Sequence, residues 1–129
     1  MFKFFKRSGK EEKTVKTEIQ KLKEQLALDW DCWAISAKNL GKTIDYLQKL
    51  REREQIISNA VKRRENLDDK ENSRTLPLLK EALENIRHDA DDCEIEVAQS
   101  FASERFNYKR VNELRTKLDE LNRSIAQKN

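Results

Sequence analysis

From Val15 onward the apolar positions keep helical time. Val15, Ile19, Leu22, Leu26, Trp30, Trp33, Ala37, Leu40, Ile44 and Leu47 follow one another at intervals of three or four residues. That spacing lines up side chains along one face of a helix. The run reads as a heptad seam with one extra four-residue step at Leu26–Trp30, a stutter. Leu50, Ile57 and Val61 continue it more loosely. The pattern stops at NLDDKENSRT, residues 66–75. It resumes with Leu79, Leu83, Ile86, Ala90, Cys93, Val97 and Phe101, breaks step, and closes with Tyr108, Val111, Leu114, Leu118, Leu121 and Ile125. Thr75 has the chemistry of a helix N-cap, and Pro77 suits a first helical turn, where its missing N–H costs little.

Two long periodic halves joined by one polar turn predict an all-α fold, a long antiparallel helical hairpin of coiled-coil character. One helix would cover about 12–65, the turn 66–75 and the second helix about 76–127, all within a single domain spanning 12–128. At ~1.5 Å rise per residue each helix would be on the order of 80 Å long. Residue i would lie opposite residue 143 − i, roughly. Gly41 marks the rival topology. If Asn39-Leu40-Gly41-Lys42-Thr43 ended one helix and capped another, a three-helix bundle would result. Ala37, Leu40, Ile44 and Leu47 hold their phase through this stretch, however, and a mid-helix glycine costs only about 1 kcal/mol.

Composition agrees with long helices: 40% of residues are charged, 36% are apolar, and there are only two glycines and one proline to build turns. The net charge of +3 is concentrated at the start. Residues 1–16 hold six bases against two acids, so the rest of the chain is nearly neutral. This is not the broad basic field of a protein that coats DNA. Lys62, Arg63 and Arg64 could touch phosphate, but Glu65, Asp68, Asp69 and Glu71 follow at once and cancel them. No apolar run approaches the ~18 residues of a membrane span, nor the h-region of a signal peptide. The expected setting is cytoplasmic.

Candidate chemistry is sparse. His88 and Asp92 are four apart, as are Asp89 and Cys93, a spacing that can place metal ligands on one helix face. Cys93 belongs to the seam and His88 does not, so no metal site is expected. DDKEN lacks the spacing and glycine of a calcium loop. Cys32 and Cys93 would sit ~27 Å apart along a hairpin, far beyond disulfide reach, although a Cys93–Cys93 bond between two copies stays open. With no nucleophile–base pair, phosphate cradle or paired carboxylates in view, neither an enzyme nor a cofactor is expected.

Two stretches point instead to surfaces. In LDWDCWAIS, Trp30 and Trp33 are neighbours on a helix, and the hairpin would bring Phe106, Tyr108 and Val111 across from them as an aromatic core layer. Leu28 and Ile35 fall off that seam. A two-helix seam needs only a narrow stripe, so a contact including Leu28, Trp30 and Ile35 is expected to be covered by a second copy or a partner.

The other stretch is MFKFFKR, residues 1–7. On a helical wheel at ~100° per residue, Met1, Phe2, Phe4 and Phe5 gather on one side and Lys3, Lys6 and Arg7 on the other. Ser8 and Gly9 then read as a hinge, which sets residues 1–10 apart as an amphipathic segment. Aromatic rings backed by cations suit an anionic membrane surface. A groove on a protein partner or the open end of the hairpin would also accept them. The chain is thus expected to be a self-associating helical scaffold, held peripherally on a membrane by its N-terminus. The alternative is a helical adaptor or structural subunit of a larger complex, and a nucleic-acid-associated factor using the basic arm is a third possibility.

Overall fold

The computed structural model describes the backbone of residues 2–128 and the side chains of residues 12–127. It contains two long helices packed against each other as an all-α helical hairpin: α1, Phe2–Glu65, and α2, Asn72–Lys128. Gly41 lies inside α1 with no break, so the three-helix alternative is not what forms. The chain divides into two compact units, a terminal unit of residues 1–37 with 103–129 and a turn unit of residues 38–102.

Burial along each helix corrects the expected seam. In α1 the positions that face inward are Val15, Ile19, Leu22, Leu26, Asp29, Trp33 and Ser36 in the terminal unit. They continue as Leu40, Thr43, Leu47, Leu50, Glu54, Ile57, Val61 and Arg64 in the turn unit. The intervals alternate four, three, four, three throughout. There is no stutter at Leu26–Trp30. The heptad is kept by polar residues, Asp29, Ser36 and Thr43, where apolar spacing alone had followed Trp30, Ala37 and Ile44. In α2 the step after Phe101 is likewise absent. Val97 is succeeded by Ser100, Glu104, Asn107 and Val111, while Phe101 and Phe106 are exposed. A strict seven-residue repeat keeps one stripe of each helix on its neighbour, and here the repeat takes precedence over hydrophobicity.

The turn is shorter than expected. It covers residues 66–71, and α2 begins at Asn72 rather than near Leu76. Asp69, not Thr75, supplies the cap: its Oδ1 accepts the Asn72 backbone N–H at 2.6 Å. Asn72 is buried, and its Nδ2 donates to the carbonyls of Arg64 and Leu67, each at 2.6 Å. One amide thus ties the last turn of α1 and the connecting turn to the first turn of α2, satisfying a carbonyl the helix end leaves orphaned, while its own Oδ1 stays buried without a partner. The basic residues Lys62, Arg63 and Arg64 occupy the last turn of α1, where the partial negative charge of the carbonyl end favours cations. Pro77 sits inside α2, past its first turn, and forgoes one backbone bond.

The shorter turn also shifts the pairing by a few residues. Trp33 meets Glu104 and Tyr108 rather than Arg110, and Arg110 reaches Asp29. In the turn unit Leu50, Ala90 and Cys93 form the buried cluster, with Leu47 and Ile86 against it. Ala90 has no exposed surface, and its small side chain lets the helices approach closely. Cys93 donates its S–H toward the Thr43 carbonyl, Sγ to O 3.8 Å. Burial pushes its thiol pKa up, with Glu96 and Glu94 adding to the effect. Buried in this way, Cys93 does not present its sulfur to a second copy. Cys32 is exposed, and both thiols are free.

Candidate interaction face

The seam of the terminal unit is polar where residues 27–37 meet residues 103–111. Because Asp29, Trp33 and Ser36 take the inward positions of α1, the large apolar residues between them are turned outward. Leu28 and Ile35 are 61% and 62% exposed, and Trp30 is 44% exposed. On α2, Glu104 and Asn107 take the inward positions, leaving Phe106 61% exposed.

Most of the polar seam is partnered; Asp29 Oδ2 is the exception, buried without a hydrogen bond. The Trp33 indole N–H donates to Glu104 Oε1 at 3.0 Å. Arg105 forks onto the same carboxylate, Nε to Oε2 at 2.6 Å and Nη2 to Oε1 at 2.8 Å. This bidentate charge-assisted pairing, aided by the indole, holds the Glu104 pKa down to about 2 against the opposing effect of burial. The Arg105 guanidinium also lies 4.4 Å above the Tyr108 ring centroid. Trp33 completes the group, 6.0 Å from Tyr108 in a tilted contact and 5.3 Å from Trp30 in an edge-to-face one. Asp29 accepts from Gln25 Nε2 at 2.9 Å and pairs with Arg110 Nε at 3.5 Å. Arg110 in turn lies 5.9 Å from the Phe106 ring centroid.

These contacts separate two flanks. Trp30 and Tyr108 stand on one side of the seam with Arg105. Gln25, Arg110 and Phe106 mark the other. Leu28 and Ile35 fall on the Gln25 side, because Gln25, Leu28, Cys32 and Ile35 follow at intervals of three and four residues. Trp30 is ~160° away from Leu28 around the helix. The three residues expected to form one contact, Leu28, Trp30 and Ile35, are all on the surface but on opposite flanks. The expected aromatic layer is partly assembled: Trp33 meets Tyr108, Val111 is buried, and Phe106 stays outside.

The amphipathic segment, with Phe2, Lys3, Phe4, Phe5, Lys6 and Arg7, lies outside the residues whose side chains are described. Among the described residues, no group of three or more His, Cys, Asp or Glu could hold a metal ion. His88 pairs with Asp92 at 3.6 Å on an exposed face. In the turn unit Arg51 gathers Glu54, Glu94 and, at 3.4 Å, Asp91. Arg87 adds to Glu54 at 3.3 Å, and Arg51 holds the Glu54 carboxyl below the usual range. This is an ion-pair surface with no nucleophile in it. Among the described residues, no helix is long and apolar enough to cross a membrane. No protein family, curated protein or solved structure matches this chain.

Sequence reasoning missed Asn72, Glu104 and Asp29. Asp29 and Glu104 interrupt apolar runs, so hydrophobic periodicity passes over them, and Asn72 lies in the polar stretch read as turn. A template stepping four and three regardless of residue type would have landed on all three.

Proposed function

We propose that this chain is a non-enzymatic helical scaffold that self-associates and is tethered peripherally to a membrane surface through residues 1–7. One observation carries the self-association: Leu28, Ile35, Trp30 and Phe106 remain largely exposed beside a seam of Asp29, Ser36, Glu104 and Asn107. Large apolar side chains left in water on both flanks of one short stretch point to a surface that another molecule covers.

The tether is supported by sequence. Phe2, Phe4 and Phe5 are interleaved with Lys3, Lys6 and Arg7, and each cation near an anionic surface contributes about 1 kcal/mol. One such anchor is weak, comparable to a single acyl chain. Several copies in one assembly bind far more tightly through effective concentration, so the two halves of the proposal reinforce each other.

Flotation with anionic liposomes tests the tether. The full chain should float at low salt. A version lacking residues 1–9 and the Phe2→Glu/Phe5→Glu double variant should stay at the bottom. If none floats, the tether is wrong and the aromatic N-terminus belongs to a protein contact.

A further inference from the structure

Resting on the self-association proposed above, we infer that a second copy of this chain docks on the Gln25 side of the terminal unit. There α1 of each copy lies against α2 of the other, and Phe106 seats between Leu28 and Ile35. The fit has two parts. Leu28 and Ile35 are one heptad apart, with only the small Cys32 between them on this side. Phe106 is a single exposed ring on the same flank of α2. It stands at the matching level, because Asp29 pairs with Arg110 and Trp33 meets Tyr108 just beside it. A knob facing a hole on the same flank is self-complementary under a two-fold axis running along the helices.

Charge selects this arrangement over its rival. Asp31 stands on the outer rim of α1 and Lys109 on the outer rim of α2, both exposed and at the same level. Packing α1 against α2 of the other copy sets Asp31 toward Lys109 twice, once on each side of the axis. Packing like helix on like helix, centred on the same patch, would set Asp31 toward Asp31 and Lys109 toward Lys109. Opposed rims fix register and exclude the wrong pairing. The result in this unit is an antiparallel four-helix arrangement that covers the three apolar side chains at once.

The test is sedimentation velocity on the full chain over a range of concentrations. The variants are Phe106→Glu, Asp31→Lys and Lys109→Glu, each checked for unchanged helicity by circular dichroism. The wild-type chain should dimerise. Phe106→Glu and each charge reversal should weaken the dimer by on the order of tenfold or more, since each reversal places like charges together twice. An equimolar mixture of D31K and K109E should recover the dimer, because each copy then supplies the complement of the other. Self-association that ignores all three substitutions and shows no recovery would overturn this docking mode while leaving the scaffold intact. A chain that stays monomeric at every concentration would overturn the self-association itself, and this face would then serve a different protein.

Discussion

At the scale of single residues, the informative side chains are polar ones in apolar positions. Asn72 is buried and bridges the Arg64 carbonyl at the α1 terminus and the Leu67 carbonyl in the turn to the start of α2. Replacing it with alanine removes both bonds and strands those carbonyls, at a cost of about 2 kcal/mol. Urea unfolding of Asn72→Ala should show a lower midpoint with an unchanged slope. Glu104 makes a different prediction. Its carboxyl is held at about pH 2 by Arg105 and Trp33, below the ordinary value in the unfolded chain. Its contribution to stability is therefore complete above about pH 4.5 and is lost as pH falls toward its folded value. Glu54, also lowered, acts in the same sense. Thermal melting of the wild type should weaken steadily from pH 5 to pH 2, and Glu104→Gln should flatten that acid limb.

At the scale of the element, continuity is decided by the repeat. Each helix keeps one seven-residue period over its described length, even where that buries an aspartate or a glutamate or turns a serine inward. Buried polar positions cost stability but constrain register and partner choice in helical assemblies. Here Asp29 and Glu104 each find a cation and a neutral donor, which limits the cost. Gly41 tests the continuity of α1. A Cβ built there meets nothing within 4 Å, and the residue has no positive φ. Gly41→Ala should therefore stabilise the protein by about 0.5–1 kcal/mol, read as a rise in urea midpoint. A helix break at this position would reverse the sign.

At the scale of the whole molecule, the two units hold different surfaces. The turn unit has its Leu50–Ala90–Cys93 cluster inside and the Arg51 ion pairs outside. The terminal unit buries Ile19 and Val111, but around Asp29, Ser36, Glu104 and Asn107 polar groups lie inside while Leu28, Ile35 and Phe106 stay outside. The turn unit also exposes apolar side chains, Ile56, Leu78 and Ile95 among them, above a core that is itself apolar. Buried cysteine chemistry supplies a check on both units. In the dilute, dissociated chain Cys32, which is exposed, should take up an alkylating or disulfide-exchanging reagent quickly, and more slowly at concentrations where a second copy covers the Gln25 side. Cys93, buried and with a raised pKa, should react only as the turn unit opens, and mass spectrometry of the labelled peptides reads both.

The sequence by itself determined the helical class, the two long elements and the place of the turn. Apolar residues at intervals of three and four leave no other regular structure open, and two glycines with one proline cannot supply more turns. It also placed Leu50 beside Cys93 and ruled out an intramolecular disulfide. Tertiary structure decided the rest. It set the turn at six residues, because Asp69 and Asn72 together cap both helix ends. It removed the stutter, because two long helices stay in contact only through a strict repeat, whatever residue falls on it. And it divided Leu28 and Ile35 from Trp30. Which flank an outward residue occupies depends on which position the seam takes, and only packing against α2 revealed that Asp29, not Trp30, lies on it.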